Sequence, residues 1–182
     1  MKLFAKEVAT SIKNVGAIAP SSKYLANNIV KHIDFQENQV VLEFGSGNGA
    51  ITKHILKQLP ASSKLISLEI NTPFLDHCKS KFSDYKNFEI YNHSAIEFDT
   101  LLKKLKVDKV DYLVSSLPLA MIPNDDLEIL FEKIPKYLAT DGRFLQYQYS
   151  LNKYKFLKNI FSEVKLGFTL TNLPPAFVYR CS

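Results

Sequence analysis

A chain of 182 residues, 46% of them hydrophobic, can fill one well-packed core and is short for two. Its formal net charge of +5 is concentrated at the start, where residues 1 to 33 carry five lysines and one glutamate; the rest is close to neutral, with Arg only at positions 143 and 180. That distribution argues against a broad basic face for long nucleic acid, the apolar runs fall far short of the roughly 20 residues of a membrane span, and the spacing of Cys78, Cys181 and four scattered histidines argues against a metal site.

Residues 1 to 35 read as a helical preface to a domain spanning 36 to 182. Lys6 and Glu7 stand where a secretory signal would carry its apolar core, so a cytoplasmic protein is expected. On a helical wheel Phe4, Val8, Ile12 and Val15 form one stripe, with Lys2, Lys6 and Lys13 on a well-separated face. Gly16, Pro20, Ser21 and Ser22 then read either as a turn closing over a ligand or as the N-cap of a helix over 21 to 33.

From residue 38 the chain alternates strand and helix patterns. Strands are expected at VVLEF (40 to 44), KLISLE (64 to 69), FEIY (88 to 91), VDYLVSS (110 to 116), GRFLQYQY (142 to 149), EVKLGFTL (163 to 170) and AFVYR (176 to 180). ITKHILKQL, PFLDHCKSKF, IEFDTLLKKL and DDLEILFEKIPKYL separate the first five, each with apolar residues at helical spacing. The expected fold is α/β: a Rossmann-like, seven-stranded, mostly parallel sheet with helices on both faces. TNLPP is too short for a crossover helix, so the last two strands should form an antiparallel hairpin.

The first strand runs into EFGSGNG, in which Gly45, Gly47 and Gly49 let backbone approach a ligand closely. Spacing alone leaves a dinucleotide open, because Ala50 can take the last place of that fingerprint. Glu43, at the carboxyl end of the strand, repels a pyrophosphate and attracts a cation, and no P-loop pattern is present. Glu69, 20 residues beyond Gly49, falls where an acid takes a ribose diol. Two acids around a glycine turn describe a nucleoside with a cationic tail, which is the chemistry of S-adenosylmethionine; the competing reading is a pair of solvated strand-end charges. Ser46 and Ile70 flank these acids, and Ser94 and Ala95, after the third strand, stand where an adenine edge would be met or form a plain loop.

The fourth strand ends in SSLPLAMIP, residues 115 to 123, a loop in which prolines expose carbonyls able to hold an amine. EFGSGNG, Glu69 and SLPL together resemble the class I S-adenosylmethionine-dependent methyltransferases. VGAIAPSSKYLA (15 to 26), SSLPLAMIP and NLPPAFVYR (172 to 180) further resemble the soluble bacterial phospholipid N-methyltransferases, which methylate phosphatidylethanolamine. Amino-methylating relatives such as the rRNA adenine dimethyltransferases carry Asn-Leu-Pro or Asn-Pro-Pro and then an aromatic that stacks on the base. Here Ser116 replaces the Asn and Leu119 stands where the ring would be, which costs a nucleobase a stacking contact and costs an alkyl amine nothing.

The resemblance implies methyl transfer from S-adenosylmethionine to a lipid headgroup amine, with S-adenosylhomocysteine as product. It places Glu43, Gly45, Ser46, Gly47, Gly49, Glu69, Ile70, Ser94, Ala95 and Ser115 around the cofactor, and Ser115, Ser116 and the Leu117 carbonyl at the amine. Tyr147 and Tyr149 share a strand face and either stabilise a methylated cation through their rings or serve as core or edge aromatics. Pro20, Ser21, Ser22 and Leu119 are placed near the substrate. The lysine face of residues 2 to 13 then either meets an anionic membrane reversibly, at about 1 kcal/mol per lysine, or packs as an ordinary helix surface. The rival functions are methylation of rRNA adenine or a small amine, and binding of S-adenosylmethionine without catalysis.

Overall fold

The computed structural model describes residues 23–169 and 175–182. The expectations placed on Lys2, Phe4, Lys6, Val8, Ile12, Lys13, Val15, Gly16, Pro20, Ser21 and Ser22 lie outside the described residues.

In chain order the elements are α1 (Lys23–Val30), β1 (Val40–Phe44), α2 (Ala50–Leu56), β2 (Lys64–Leu68), α3 (Thr72–Lys81), β3 (Phe88–Tyr91), a single 3₁₀ turn (Ala95–Glu97), α4 (Phe98–Lys104), β4 (Val110–Ser115), a second 3₁₀ turn (Leu119–Met121), α5 (Asn124–Tyr137), β5 (Leu138–Gln148), α6 (Tyr154–Lys158), β6 (Val164–Thr169) and β7 (Ala176–Cys181). Seven strands form one sheet in the order β3-β2-β1-β4-β5-β7-β6. The first five are parallel, and β7 lies antiparallel between β5 and β6. The chain therefore steps outward from β1 to β3 and returns to β4 on the other side of β1. Ligands of open α/β sheets bind at such a reversal, outside the carboxyl ends of the strands.

Strand alternation divides the core into two layers. Val41, Leu65, Val114, Leu145 and Val178 face one side and are covered by Ala26, Ile29 and Val30 of α1, Ile51 and Ile55 of α2, and Leu75 of α3. Leu42, Phe44, Ile66, Leu113 and Phe144 face the other, under Phe98 and Leu102 of α4 and Leu127, Phe131 and Ile134 of α5. Side chains buried on both faces explain why these strands read as nearly continuous apolar runs.

The start of β5 departs furthest from the expected strand bounds. β5 begins at Leu138 rather than at Gly142, with its pairing to β4 shifting register between Val110 and Tyr112. The backbone on either side of ATDG is paired to the same neighbour, Leu138 with Val110 and Arg143 with Tyr112. A Cβ on Gly142 would lie 2.8 Å from the Ala139 nitrogen, so this bend needs glycine. The five-residue α6 is also unexpected, being too short for periodicity to reveal. Among the described residues no helix is long and apolar enough to cross a membrane.

Candidate active site

The glycine turn leaves β1 at the reversal point. Gly45, Gly47 and Gly49 have φ of 74°, 52° and 77°, a left-handed run that residues with a Cβ adopt only under strain. The Gly45 amide donates to the Leu68 carbonyl at 2.8 Å, which joins the turn to the end of β2. A Cβ on Gly49 would sit 2.5 Å from the Phe82 ring, so the turn is also closely backed by the end of α3. Buried Ser46 lies within it, and the buried Cys78 thiol donates to the Gly47 carbonyl at 3.3 Å.

Glu43 is 1% exposed, which argues against the competing reading of a solvated strand-end charge. Thr52 of α2 donates its hydroxyl to the two Glu43 oxygens at 3.0 and 2.8 Å, and Ser67 of β2 donates to Oε2 at 2.5 Å. Burial pushes the acid up to about 7, against the lowering effect of these hydroxyl bonds and with a further push from the Glu69 charge. Glu43 is therefore held between α2 and β2, sealed from solvent.

Glu69 occupies the end of β2. Its Oε2 accepts the Gly47 amide at 2.8 Å and its Oε1 accepts the Asn71 amide at 2.8 Å. Each oxygen keeps a lone pair, and the two together match a vicinal diol. Burial raises the pKa of this acid too, against the effect of its backbone bonds. Two neighbouring acids whose ionised forms are both disfavoured suit a cation and repel an anion, which fits S-adenosylmethionine and not a pyrophosphate.

The β2–α3 connection is held by Asn92, whose amide donates to the carbonyls of Glu69 and Ile70 at 3.2 and 3.3 Å. Ser94 caps the 3₁₀ turn by accepting the Ile96 amide at 3.3 Å, and half-buried Ala95 begins that turn.

The SSLPLAMIP loop meets the glycine turn directly. The Ser116 amide donates to the Phe44 carbonyl at 3.0 Å, and its hydroxyl donates to the Gly45 carbonyl in a short bond. The same hydroxyl also reaches the Phe44 carbonyl at 3.3 Å, so its one proton has two backbone acceptors beside the turn. A Cβ on Gly45 would approach Ser116 Oγ to 3.0 Å. Ser115 is 1% exposed and accepts the Leu117 amide at 3.3 Å.

One substrate expectation is corrected here. Leu119 is 1% exposed and packs in the apolar layer with Ile122 and Leu127, so it offers no surface to a ligand. The Leu117 carbonyl accepts Gln146 Nε2 at 3.1 Å and Gln148 Nε2 at 2.8 Å. Tyr147 and Tyr149 share a face with ring centroids 5.9 Å apart, but Tyr147 is 6% exposed and belongs to the core while Tyr149 is 37% exposed. The glutamines went unassigned in the sequence; their signal is two amides, two residues apart, on a face otherwise filled by Phe144.

The family described as "Ribosomal RNA adenine dimethylase" matches residues 21–140. The chain is 30% identical over 168 residues to the ornithine lipid N-methyltransferase of Singulisphaera acidiphila, covering 92% of this chain and 88% of that protein. It is 34% identical over 114 residues to the ribosomal RNA small subunit methyltransferase A of Mycoplasma mycoides subsp. mycoides, covering 60% of this chain but only 39% of that protein. The precorrin-6y C5,15-methyltransferase of Geobacter metallireducens superposes with a TM-score of 0.71 at 12% identity, covering 91% of this chain and 92% of that one, a likeness of fold alone.

Proposed function

The chain belongs to the ribosomal RNA adenine dimethylase family of S-adenosylmethionine-dependent methyltransferases, and we propose that within that family it methylates the headgroup amine of a membrane lipid such as phosphatidylethanolamine or an amino-acid lipid. The observation that carries this reading is the match with an ornithine lipid N-methyltransferase across nearly the whole of both chains. The loop at Ser116 supports it, since the residue after Pro118 is a buried leucine and no ring is presented there for a nucleobase.

The cofactor supplies a methyl group made electrophilic by its sulfonium. The protein's part is to hold and orient. Glu69 takes the ribose diol, the glycine turn admits the ligand against its backbone, and the paired acids favour a cationic tail. The amine approaches over Ser116, whose lone pairs accept one N–H. An alkylammonium ordinarily titrates near about 10, so the neutral amine is a minor species at pH 7 and its proton passes to solvent before attack. Holding nitrogen and methyl in line can supply roughly 7 to 11 kcal/mol of the barrier. In this reading Tyr149, an exposed ring just past β5, meets an increasingly methylated ammonium, a contact worth about 0.5 to 2 kcal/mol.

In the same reading, the segment ahead of α1 supplies the cover and the reversible membrane contact, while α1 itself packs in the core. Phe4, Val8 and Ile12 face the acyl boundary, and Lys2, Lys6 and Lys13 face anionic headgroups at the inner surface of the cell membrane. The test offers labelled S-adenosylmethionine with phosphatidylethanolamine vesicles, ornithine-lipid vesicles, ribosomal RNA and free ethanolamine. Label is expected in a lipid; label in RNA alone overturns the proposal in favour of the activity named for the family.

A further inference from the structure

The chain carries 23 lysines and arginines, of which only those at 143 and 180 are arginine. The fold brings these two onto one face of neighbouring strands. Arg180 of β7 stands directly opposite Leu145 of β5, and Arg143, two residues before Leu145, shares its face. Residues placed diagonally in this way lie roughly 7–8 Å apart between Cα atoms, a gap that two guanidinium groups can close around one small group. The face is the one covered by α1, since Leu145 and Val178 share an apolar cluster with Ala26, Ile29 and Val30. Lys31 and His32 follow α1 directly. Burial first, then the charges of Arg180, Lys31 and Arg143, push the His32 imidazole down to about 4, so the ring is neutral and sits within reach of both arginines.

The chain itself does not answer this charge. Among the described residues no ion pair involves either arginine, and the Arg180 Nε–H is buried without a hydrogen-bond partner. Across the other side of β7, Arg180 faces Lys165 of β6, and like charges directly opposite destabilise a sheet. Lys165 is paired with Glu163 at 2.8 Å. A buried N–H without an acceptor adds to the cost, whereas an apolar residue at 180 would extend the row of Ala176 and Val178 without it. Stability alone therefore does not account for arginine at this position.

The surroundings of Arg143 limit what can bind. It lines a cavity of about 480 Å³ whose wall also carries Asp34, Asp111 and Asp141. Three carboxylates repel a run of phosphates such as a nucleic-acid backbone, and leave room for a single anionic group on the arginine side.

We propose that Arg143, Arg180 and His32 form a binding site, apart from the glycine turn, for the phosphate of a small soluble phosphate monoester. Each guanidinium presents paired N–H groups to a tetrahedral dianion, the geometry for which arginine is used in place of lysine. Two full positive charges match a dianion better than a single carboxylate. The neutral His32 ring adds one N–H without adding like charge. Bound phosphate joins β5 and β7 to the end of α1, and the site is independent of which amine is methylated.

Protein labelled with ¹⁵N-arginine gives one Nε–H signal for each of its two arginines. Inorganic phosphate and glycerol 3-phosphate, added at constant ionic strength, are expected to move both signals along one saturating curve and to move the His32 ring signals, while those of His77 and His93 stay in place. Arg143→Gln, at an exposed position, and Arg180→Lys, which keeps the charge without the fork, should each weaken binding about 10- to 100-fold, the range for charge-assisted hydrogen bonds, as read on the remaining arginine. S-adenosylhomocysteine affinity should stay within about twofold in both. Phosphatidic-acid vesicles and a short single-stranded RNA offer the same group on a membrane and on a polyanion; a response to either one without a response to the soluble esters overturns the small-ligand assignment. Shifts that do not saturate, an equal response to chloride, or undiminished binding in Arg143→Gln overturns the site.

Discussion

Glu69 reaches back from the end of β2 to take the amide of Gly47 at 2.8 Å, tying the acid to the turn it works beside. The carboxylate is thereby held at two points, Gly47 and Asn71, with its free lone pairs on one side. Glu69→Ala should weaken S-adenosylhomocysteine binding by about 10- to 100-fold, the range for charge-assisted hydrogen bonds. Glu69→Gln should fall between, since an amide must present N–H to one of two backbone donors. Titration calorimetry decides; unchanged affinity in the alanine variant would remove Glu69 from the ribose.

Glu43 makes stability depend on pH in a particular direction. Its folded pKa of about 7 lies above the ordinary 4.5, so between those values the folded state holds a proton that the unfolded chain has lost. Stability of the free protein should therefore fall as pH rises from about 4.5 to 7 and level off above it, as far as this group contributes. Glu43→Gln should flatten that slope in chemical denaturation series. A cationic ligand favours the ionised acid, so S-adenosylmethionine binding near pH 6 should release protons, and calorimetry in buffers of different ionisation enthalpy should show the release disappear in Glu43→Gln.

Gly49 and Gly47 separate sterics from backbone strain. Gly49→Ala combines positive φ with a Cβ driven into Phe82, and should cost about 2 kcal/mol or more, a fall in Tm of roughly 4–8 °C. Gly47→Ala has no atom within 4 Å of its added carbon and should lose less. Equal melting temperatures for the two would show that Phe82 yields.

Ser116→Ala should lower kcat about 10- to 100-fold, because nitrogen gains positive charge as it takes the methyl and loses its acceptor. Cofactor affinity should change little. Leu119→Phe, which restores the ring of base-methylating relatives, should not create RNA methylation; it should cost about 1–3 kcal/mol through overpacking, because the side chain is buried under α5. Gain of RNA labelling would show that the loop turns outward.

The strand and helix series was legible because parallel strands buried on both faces announce themselves as apolar runs, and β1 and β3 fall at their expected bounds. The acids at positions 43 and 69 were legible because both stand at the carboxyl ends of such strands. What stayed hidden depends on partners distant in sequence. Glu43 is sealed by Thr52 and Ser67, and the Leu117 carbonyl is taken by side chains 29 and 31 residues away. Leu119 looked like a substrate contact because the family motif has a ring there, yet the 3₁₀ turn that begins at this residue rotates it inward.

The insertion of β7 between β5 and β6 imposes an order on biosynthesis. Leu166 and Phe168 leave the ribosome before the strand that separates them from the sheet, so β6 has no native neighbour until residues 176–181 have emerged. In the finished fold these two remain 38% and 52% exposed, and the nascent chain displays them with an unpaired edge as well. Chaperone capture or lateral association should therefore concentrate on this stretch while translation is still under way.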